Sequence, residues 1–436
     1  MFELQTVAEL AAVAGSGLAH DASTGHEEIA AEQGMLLGAA PLGPMEQRLF
    51  SYELSRTDCF NQFVVLPVRA DVSPETLERA LTQLCLHHDA LRCRYTRADG
   101  AVIKHFGSEP PSHCLRTVSL VSERRPDDQP EDKARVREQA LLEAQRSLDI
   151  GAGRLLGAVL FCAPGRSYND LALVIHHLAV DVHSWRVLLE DLATLLRGRA
   201  ELPPKTSSVR QWVTALQEHA SRHEREELDY WRQFCTWRPT AIPVDSAETD
   251  RETDNLAGTV TRLGACLDSE ATQGLRQRLG TTPLADAVMM SLAKCLAEIC
   301  NAPQVCIDHE GHGRDVAGQD LSRTVGWFTA IGPYFVHAGS EDLERCLEQI
   351  REVPARGANL AAIQCFGSAE ARELLRRLPG PEVAFVHLGS VSAETVEQSS
   401  ILQPLIDSGF YQEPDERRPY VIEVESVIRD QALHIE

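Results

Sequence analysis

The 436-residue sequence lacks an excess of basic residues, a long hydrophobic run and a paired-cysteine motif. Its 42 Lys and Arg residues are outnumbered by 64 Asp and Glu residues, which gives a formal net charge of -22. Because an acidic surface repels phosphate backbones and anionic lipid head groups, we expect no binding to nucleic acid or to a membrane surface. Apolar runs such as LALVI at 171–175 are far too short to cross a bilayer.

The N-terminus has no basic region followed by an apolar core, so it does not predict a secretory signal. The twelve cysteines are scattered between Cys59 and Cys365 without a CxxC pair. This pattern predicts reduced, buried thiols in a cytoplasmic protein rather than a disulfide framework. With 43% hydrophobic and 24% charged residues, the composition is that of a folded globular chain, and its length predicts roughly two to three domains.

Patterns of strands and helices occupy the chain from about residue 40 onward. Residues 1–15 include a short amphipathic helix pattern, and residues 16–39 have the Gly, Ala, Ser and Glu content of a linker. A proline pair in ELPPKTSSVRQW at 201–212 indicates a boundary between a lobe at 40–205 and a lobe at 206–436. Strands are predicted at 62–68, 102–106, 155–161, 171–175, 304–308, 382–387 and 420–425. Helices are predicted at 130–147, 208–236, 269–278 and 283–300, after a first one that Ser73 and Pro74 open. The fold class is therefore mixed α and β (α+β), in two comparable halves.

HHLAVDVHSW at 176–185 places two imidazoles and a carboxylate at the end of an apolar strand. Neighbouring side chains of a strand point to opposite faces, so one of His176 and His177 is structural and the other is available for chemistry. Asp181 is placed to hold the following loop through a buried ion pair, and Ser184 to cap the next helix. Two other interpretations are a hydrogen-bonded core pair and an HHxxxD metal site, although the opposite facing of the histidines argues against the metal.

A second polar stretch, DHEGHGRD at 308–315, follows the strand pattern VCID. Glycines at 311 and 313 would let the backbone turn sharply while it presents His309, Glu310 and His312. The alternative interpretation is a structural turn with polar surface residues.

Several motifs in the expected order give the sequence a family resemblance. HHLAVDVHSWRVLLEDL resembles the HHxxxDGxSW signature of nonribosomal peptide synthetase condensation-type domains. PLGPMEQRLF, NQFVVLPV, HHDALRCRY and SSVRQWVTALQEHA resemble further segments of that superfamily, so the resemblance covers about residues 40–430. EGHGR at 310–314, RTVGWFT at 323–329 and VAFVHLGS at 383–390 are similar to segments of its epimerization branch, where the last is usually written FNYLGQ.

The resemblance implies two lobes like chloramphenicol acetyltransferase, arranged as a V-shaped pseudo-dimer around a central tunnel. The phosphopantetheine arm of a peptidyl carrier protein would enter this tunnel, and neighbouring synthetase modules are possible partners. The implied reaction is L-to-D epimerization at Cα of a carrier-bound aminoacyl or peptidyl thioester, with His177 and Glu310 as the two acid/base groups. No metal and no cofactor of the domain's own is implied. The implied supporting residues are His176, Asp181, Ser184, Trp185, Gly311, His312, Arg314 and Trp327, with Arg314 as the ion-pair partner of Asp181.

The sequence departs from the family pattern at three places. Val182 and His183 replace the glycine of DGxSW and its neighbour, and a valine would be strained if that position needs a positive φ. Val386 and His387 replace Asn-Tyr, and the sequence ends at ALHIE, before the family's usual final segment. Residues 1–15 resemble the last helix of a carrier domain. Two alternatives to the epimerase stay open: a condensation domain that forms peptide bonds, and a catalytically impaired scaffold that docks carriers.

Overall fold

The structure is a computed structural model that describes residues 30–109, 114–120, 130–199, 201–244, 251–316, 318–338, 343–391 and 401–436. The predicted carrier helix at 1–15 and most of the predicted linker lie outside the described residues. Within them, no helix combines the length and the hydrophobicity needed to cross a membrane. All twelve cysteines are free thiols; six are buried, whereas Cys266 and Cys295 are exposed.

The strands are β1 Gly38–Ala40, β2 Asn61–Arg69, β3 Cys93–Ala98, β4 Ala101–Phe106, β5 Leu115–Ser119, β6 Leu156–Cys162, β7 Tyr168–His176, β8 Ala265–Leu267, β9 Gln304–Gly311, β10 Ala330–His337, β11 Val383–Val391, β12 Asp407–Tyr411, β13 Ile422–Arg429 and β14 Ala432–Ile435. The helices are α1 Pro44–Ser51, α2 Pro74–His87, α3 Pro130–Arg146, α4 Val182–Leu196, α5 Val209–Trp231, α6 Arg251–Asp254, α7 Ser269–Leu279, α8 Leu284–Ile299, α9 Leu343–Glu352, α10 Ala358–Phe366 and α11 Ala369–Leu375. Each strand and helix predicted from residue 40 onward is confirmed, with ends that differ by a few residues.

Local sequence explains where these elements begin. Ser73 accepts a hydrogen bond from the Thr76 backbone N–H at 3.2 Å, and Pro74 occupies the first turn of α2, as predicted. The apolar positions of α2 at Leu77, Leu81 and Leu84 are buried, as a helical period requires.

Two large sheets and one small sheet build the two lobes. The first lobe contains a five-stranded sheet in the order β12-β2-β7-β6-β5 and a small sheet, β1-β4-β3. The second contains a six-stranded sheet in the order β10-β9-β11-β13-β14-β8. Each large sheet packs against helices around its own apolar core, one centred on β2, β7, α2 and α4 and the other on β9, β10, α5, α8 and α10. The predicted mixed fold in two lobes is confirmed.

One late segment crosses from the second lobe to the first. Strand β12 pairs antiparallel with β2, and Ile401 and Leu402 are buried in the core of the first lobe. The first lobe therefore includes a strand from near the end of the chain, which a single boundary between residues 205 and 206 assigns to the second lobe.

Residues 30–36, which precede the first lobe, form hydrogen bonds to the segment between the two lobes and to the first lobe. The Gln211 side-chain amide donates to the Ala30 carbonyl at 2.9 Å, and Lys205 Nζ donates to the Gly34 carbonyl at 3.0 Å. Lys205 also forms a 2.7 Å ion pair with Asp89, which accepts a hydrogen bond from the Leu36 backbone N–H. The end of the predicted linker is thus attached both to the first lobe and to the start of α5.

Candidate functional site

His176 is a structural residue at the end of β7. Its side chain is completely buried, and Nε2 donates to the Thr57 carbonyl at 2.7 Å. Nδ1 accepts a hydrogen bond from the Leu178 backbone N–H at 3.1 Å. Burial lowers the pKa of His176 to about 4, so the ring is neutral at pH 7. With both nitrogens engaged, His176 anchors the turn and has no lone pair left for a proton or a metal.

His177 lies in the 3-10 turn His177–Ala179 that follows the strand. The strand ends at His176, so it is this turn rather than strand alternation that separates the two imidazoles. The His177 ring stacks on Trp327 with centroids 4.0 Å apart, and Phe60 and Phe410 lie at 5.7 and 6.0 Å. Its Nε2 atom lies 3.0 Å from the Gln62 side-chain nitrogen. Aromatic rings from both lobes therefore surround this imidazole.

Burial lowers the pKa of His177 to about 4. The backbone carbonyls of His177 and Val180, together with the Asp181 carboxylate, act in the opposite direction but do not compensate. His177 is consequently a neutral imidazole at pH 7, which is the protonation state of a base.

The predicted ion pair between Asp181 and Arg314 is confirmed. Arg314 Nη2 lies 2.8 and 2.9 Å from the two carboxylate oxygens of Asp181, and both side chains are buried. Asp181 also accepts hydrogen bonds from the backbone N–H groups of Ser184 and Phe328. Burial alone would raise the pKa of Asp181, but Arg314 and Ser184 hold it below its ordinary value. The carboxylate therefore joins the first lobe to the 312–329 loop of the second.

The predicted cap of α4 is wrong. The N-cap residue is Asp181, whose carboxylate accepts from the Ser184 N–H at 2.8 Å. The Ser184 hydroxyl donates to the same oxygen at 2.7 Å and accepts from the Gly326 N–H at 3.1 Å, so Ser184 links α4 to the loop.

The departure at Val182 does not strain the backbone. Val182 is the first residue of α4, with its side chain 51% exposed, so the expected positive φ does not occur there. His183 reaches across to the second lobe, where its Nε2 lies 2.9 Å from the Ser322 carbonyl. Burial lowers the pKa of His183 to about 4, which leaves a neutral ring that donates to this carbonyl.

The HHxxxD residues do not converge on a metal position, because His176 and Asp181 have other partners. Within the described residues, the grouping with suitable ligand spacing is His87, His88 and Asp191. There, His88 Nε2 lies 3.0 Å from Asp191, and Arg323 pairs with the same carboxylate. This cluster is a buried ion-pair network.

Glu310 lies near the end of β9, in the middle of the second sheet. Its register partners are Ile331 on β10 and Val386 on β11, and side chains at paired positions share one face. Asp308, two residues earlier, lies on that face and binds Arg48 of α1 at 3.3 Å. Glu310 therefore faces the first lobe.

The surroundings of Glu310 favour its protonated form. Burial raises the pKa of Glu310 to about 7; the carboxylates of Glu423, Asp308 and Glu425 add to this effect, and Arg48 opposes it. Arg48 is itself bound to Asp308, and at 2.7 Å to the hydroxyl of Tyr420. The carboxyl group is thus divided between its two protonation states near neutral pH.

The loop after β9 brings its residues to the histidine motif. Gly313 has φ +61°, and a Cβ there would overlap the Phe328 carbonyl oxygen, so this position requires glycine. Gly311, in contrast, is still part of β9, and a Cβ there would make only ordinary contacts, at 4.0 Å from the Ala330 carbonyl oxygen and the His309 ring. His312 is half-buried; its Nδ1 accepts from the Arg314 N–H at 3.1 Å, and its Nε2 lies 3.3 Å from Asp315.

Val386 and His387 lie on opposite faces of β11. Val386 stands where the family has asparagine, and it pairs in register with Glu310. An apolar side chain therefore lies beside this carboxyl group. His387 points to the other face, where its Nδ1 lies 2.8 Å from the Ser426 hydroxyl.

Gln62 is a site residue that the sequence did not predict. Its side-chain oxygen accepts a hydrogen bond from Trp185 Nε1 at 2.8 Å, and its nitrogen contacts His177. Trp185, predicted as a supporting residue, therefore acts on the histidine through Gln62. The signal was a polar residue near the start of an otherwise apolar strand.

A cavity of about 250 Å³ lies between α1 and α10, with Ile331, Arg48 and Cys365 in its wall. Ile331 is the register partner of Glu310, so the cavity lies close to that carboxyl group. The structure therefore provides a neutral imidazole at His177, a carboxyl group with a raised pKa at Glu310, and space beside Glu310 between the lobes.

Comparisons with known proteins match the whole described fold. The model of the condensation domain family matches residues 37–436. One of the proteins that make up the linear gramicidin synthase of Brevibacillus parabrevis is 32% identical over 99% of this chain, and Chondramide synthase of Chondromyces crocatus is 33% identical over 99%. The chain spans only 8% and 11% of the length of these two relatives.

Solved structures of two related domain types share the fold. The epimerization domain from the third module of a tyrocidine synthetase aligns with a TM-score of 0.80 and 25% identity, covering 93% of this chain and 92% of that one. The condensation domain of the Monacolin K polyketide synthase aligns with a TM-score of 0.69 and 16% identity, covering 92% of each chain. As its motifs predicted, the chain belongs to the condensation-domain family.

Proposed function

We propose that this domain epimerizes the Cα centre of an aminoacyl or peptidyl thioester carried by a peptidyl carrier protein. The observation that carries the proposal is Glu310, a half-buried carboxyl group whose pKa is raised to about 7 and which faces the first lobe, the lobe that carries His177. Epimerization requires one group that removes a proton from Cα and another that returns a proton to the opposite face. Condensation does not need a second acid/base group of this kind.

The resting protonation states suggest the two roles at neutral pH. His177 is neutral and can accept the Cα proton, whose removal gives an enolate stabilised by the thioester carbonyl. Glu310 is partly protonated and can deliver a proton to the other face of the same carbon. The proton taken up by His177 then leaves to solvent while Glu310 regains one, so the reaction is redox-neutral and needs no cofactor of the domain's own.

The substrate would arrive on the phosphopantetheine arm of the carrier. The cavity beside Ile331 offers room for part of the acyl group next to Glu310. The structural similarity to the tyrocidine synthetase epimerization domain supports this choice of reaction. Neighbouring synthetase modules would supply the carrier and take the epimerized product.

A carrier loaded with an L-aminoacyl or L-peptidyl thioester tests the proposal in deuterated water. We expect deuterium at Cα and formation of the D isomer, and losses of about 10²–10⁴-fold in both H177A and E310Q. Glu373→Gln is the matched control, because Glu373 is an exposed carboxylate that is paired with Arg376 and does not contribute to the raised pKa of Glu310. Absence of exchange in the wild-type protein, with carrier binding retained, would refute the epimerase.

Condensation is the second candidate, since the matching family model describes condensation domains and His177 alone could assist attack by an amine. Amide formation between two loaded carriers, without Cα exchange, would select it. Binding without either reaction would select the catalytically impaired scaffold, for which Val386 beside Glu310 is the relevant departure.

A further inference from the structure

Gln62 connects two rings of the site. It lies on β2, paired in register with Ile175 of β7, and its side chain extends toward α4. The amide oxygen is 2.8 Å from Trp185 Nε1, and the amide nitrogen is 3.0 Å from His177 Nε2. One side chain thus contacts both the indole and the imidazole.

The chemistry of Trp185 fixes the orientation of this amide. An indole N–H can only donate, so the Gln62 atom facing it has to be the oxygen. The amide NH₂ group therefore faces His177, and its donated hydrogen bond requires a lone pair on Nε2. In a neutral imidazole the proton then belongs on Nδ1. The nearby carbonyls of His177 and Val180 favour a proton on the ring, although no described residue gives Nδ1 a hydrogen bond of ordinary geometry.

Among the described residues, Gln62 is the hydrogen-bond donor that contacts Nε2 of His177, and no second donor contacts this nitrogen. Phe60, Trp327 and Phe410 pack around the ring. The Asp181 carboxylate acts to raise the pKa of His177, but Asp181 is itself paired with Arg314. The neighbouring imidazole, His176, is neutral and bound to the Thr57 carbonyl. The lone pair that would accept a substrate proton is consequently occupied by Gln62.

We propose that Gln62 is a positioning residue that occupies the Nε2 lone pair of His177 in the empty domain and moves aside when the carrier-bound substrate arrives. This inference rests on the proposed epimerase function. Trp185 holds the amide in the masking orientation, so the base keeps one tautomer and stays unprotonated between turnovers. The substrate's Cα–H group replaces the amide as the partner of Nε2.

Nuclear magnetic resonance of the empty, ¹⁵N-histidine-labelled domain tests the masking contact. In the wild-type protein we expect the proton of His177 on Nδ1 and a pKa of about 4. Gln62→Leu removes the donor and should raise this pKa by about one unit, because protonation no longer breaks a hydrogen bond. Gln62→Glu should raise it by about 1–3 units through an ion pair.

Trp185→Phe gives the sharper test because it leaves Gln62 in place. Without the indole donor, the amide is free to turn its oxygen toward His177, so the proton should move to Nε2 and the pKa should rise. Adding Gln62→Leu should abolish the tautomer change, whereas a purely packing role of Trp185 would not depend on Gln62. His176, anchored by Thr57 and Leu178, is the internal reference for a folded site.

The inference is overturned if wild-type His177 carries its proton on Nε2, or if its tautomer and pKa are the same in all folded variants. These measurements need no turnover, so an inactive domain with the expected tautomer would refute the epimerase but not the Gln62 contact. In turnover, Gln62→Leu should move the acid limb of the pH profile upward by about the shift in the His177 pKa. It should not cause the 10²–10⁴-fold loss expected for His177→Ala.

Discussion

Replacing Glu310 by glutamine should make the protein more stable at alkaline pH and leave its stability at acid pH almost unchanged. The carboxyl group lies on the face of β9 that also carries Asp308, next to the apolar Val386. Burial and neighbouring carboxylates raise its pKa from 4.5 to about 7. Glutamine keeps the shape of the side chain but cannot ionise.

The sign follows from proton uptake. Below pH 4.5 both the folded and the unfolded chain hold the proton, so Glu310 carries no ionisation penalty. Between pH 4.5 and about 7 the unfolded chain loses the proton and the folded chain keeps it, so stability falls as pH rises. Above about pH 7 this loss of stability is complete. At about 1.4 kcal/mol for each pKa unit, it reaches about 3 kcal/mol, and partial exposure of the side chain reduces this toward about 1 kcal/mol.

Thermal unfolding of E310Q and wild type at pH 5 and pH 8 measures this difference. We expect nearly equal Tm values at pH 5 and a Tm higher by a few degrees for the variant at pH 8. Glu373→Gln is the control, because this exposed carboxylate is paired with Arg376 and does not contribute to the raised pKa of Glu310. A variant that is no more stable than wild type at pH 8 would refute a raised pKa at Glu310.

Three further predictions follow from the same contacts. Asp181→Ala should lower the free energy of unfolding by about 3–5 kcal/mol in chemical unfolding, since it leaves Arg314 buried without its carboxylate. Ser184→Ala should lower it by only about 1 kcal/mol, and equal losses in the two variants would contradict a buried ion pair as the cause. Gly313→Ala should lower the free energy of unfolding by more than about 2 kcal/mol and change the fluorescence of Trp327, because its Cβ would overlap the Phe328 carbonyl. Gly311→Ala should lower it by less than about 1 kcal/mol. The proposed epimerase activity should fall below about pH 4 as His177 takes up a proton, and above about pH 7 as Glu310 loses one. A flat pH profile across this range would contradict the proposed roles.

Periodicity and motif order predicted most of the fold. Branched apolar runs identified β7 and β9, because strands buried on both faces require them, and Ser73 followed by Pro74 identified the start of α2. An ion pair at Asp181 was predictable, since a buried carboxylate in a loop needs a cationic partner, and the family resemblance indicated Arg314 as that partner.

Contacts between distant segments were not predictable in the same way. Whether Asp181 or Ser184 caps α4 depends on where the 3-10 turn places each side chain, and the sequence contains both residues within the usual spacing. Gln62 contacts His177 only because β2 and β7 pair in one particular register. The raised pKa of Glu310 depends on Glu423 and Glu425 in another strand, so spacing along the chain carries no sign of it.

The strand that crosses between the lobes matters for the engineering of chimeric synthetases. Strand β12 lies on the edge of the first lobe's sheet and carries Phe410 to the rings around His177. A recombination boundary near residue 205 would combine a first lobe from one parent with an edge strand and an aromatic contact from the other. Chimeras that exchange residues 401–411 together with the first lobe would keep β2 and its partner from one parent, and should fold in higher yield.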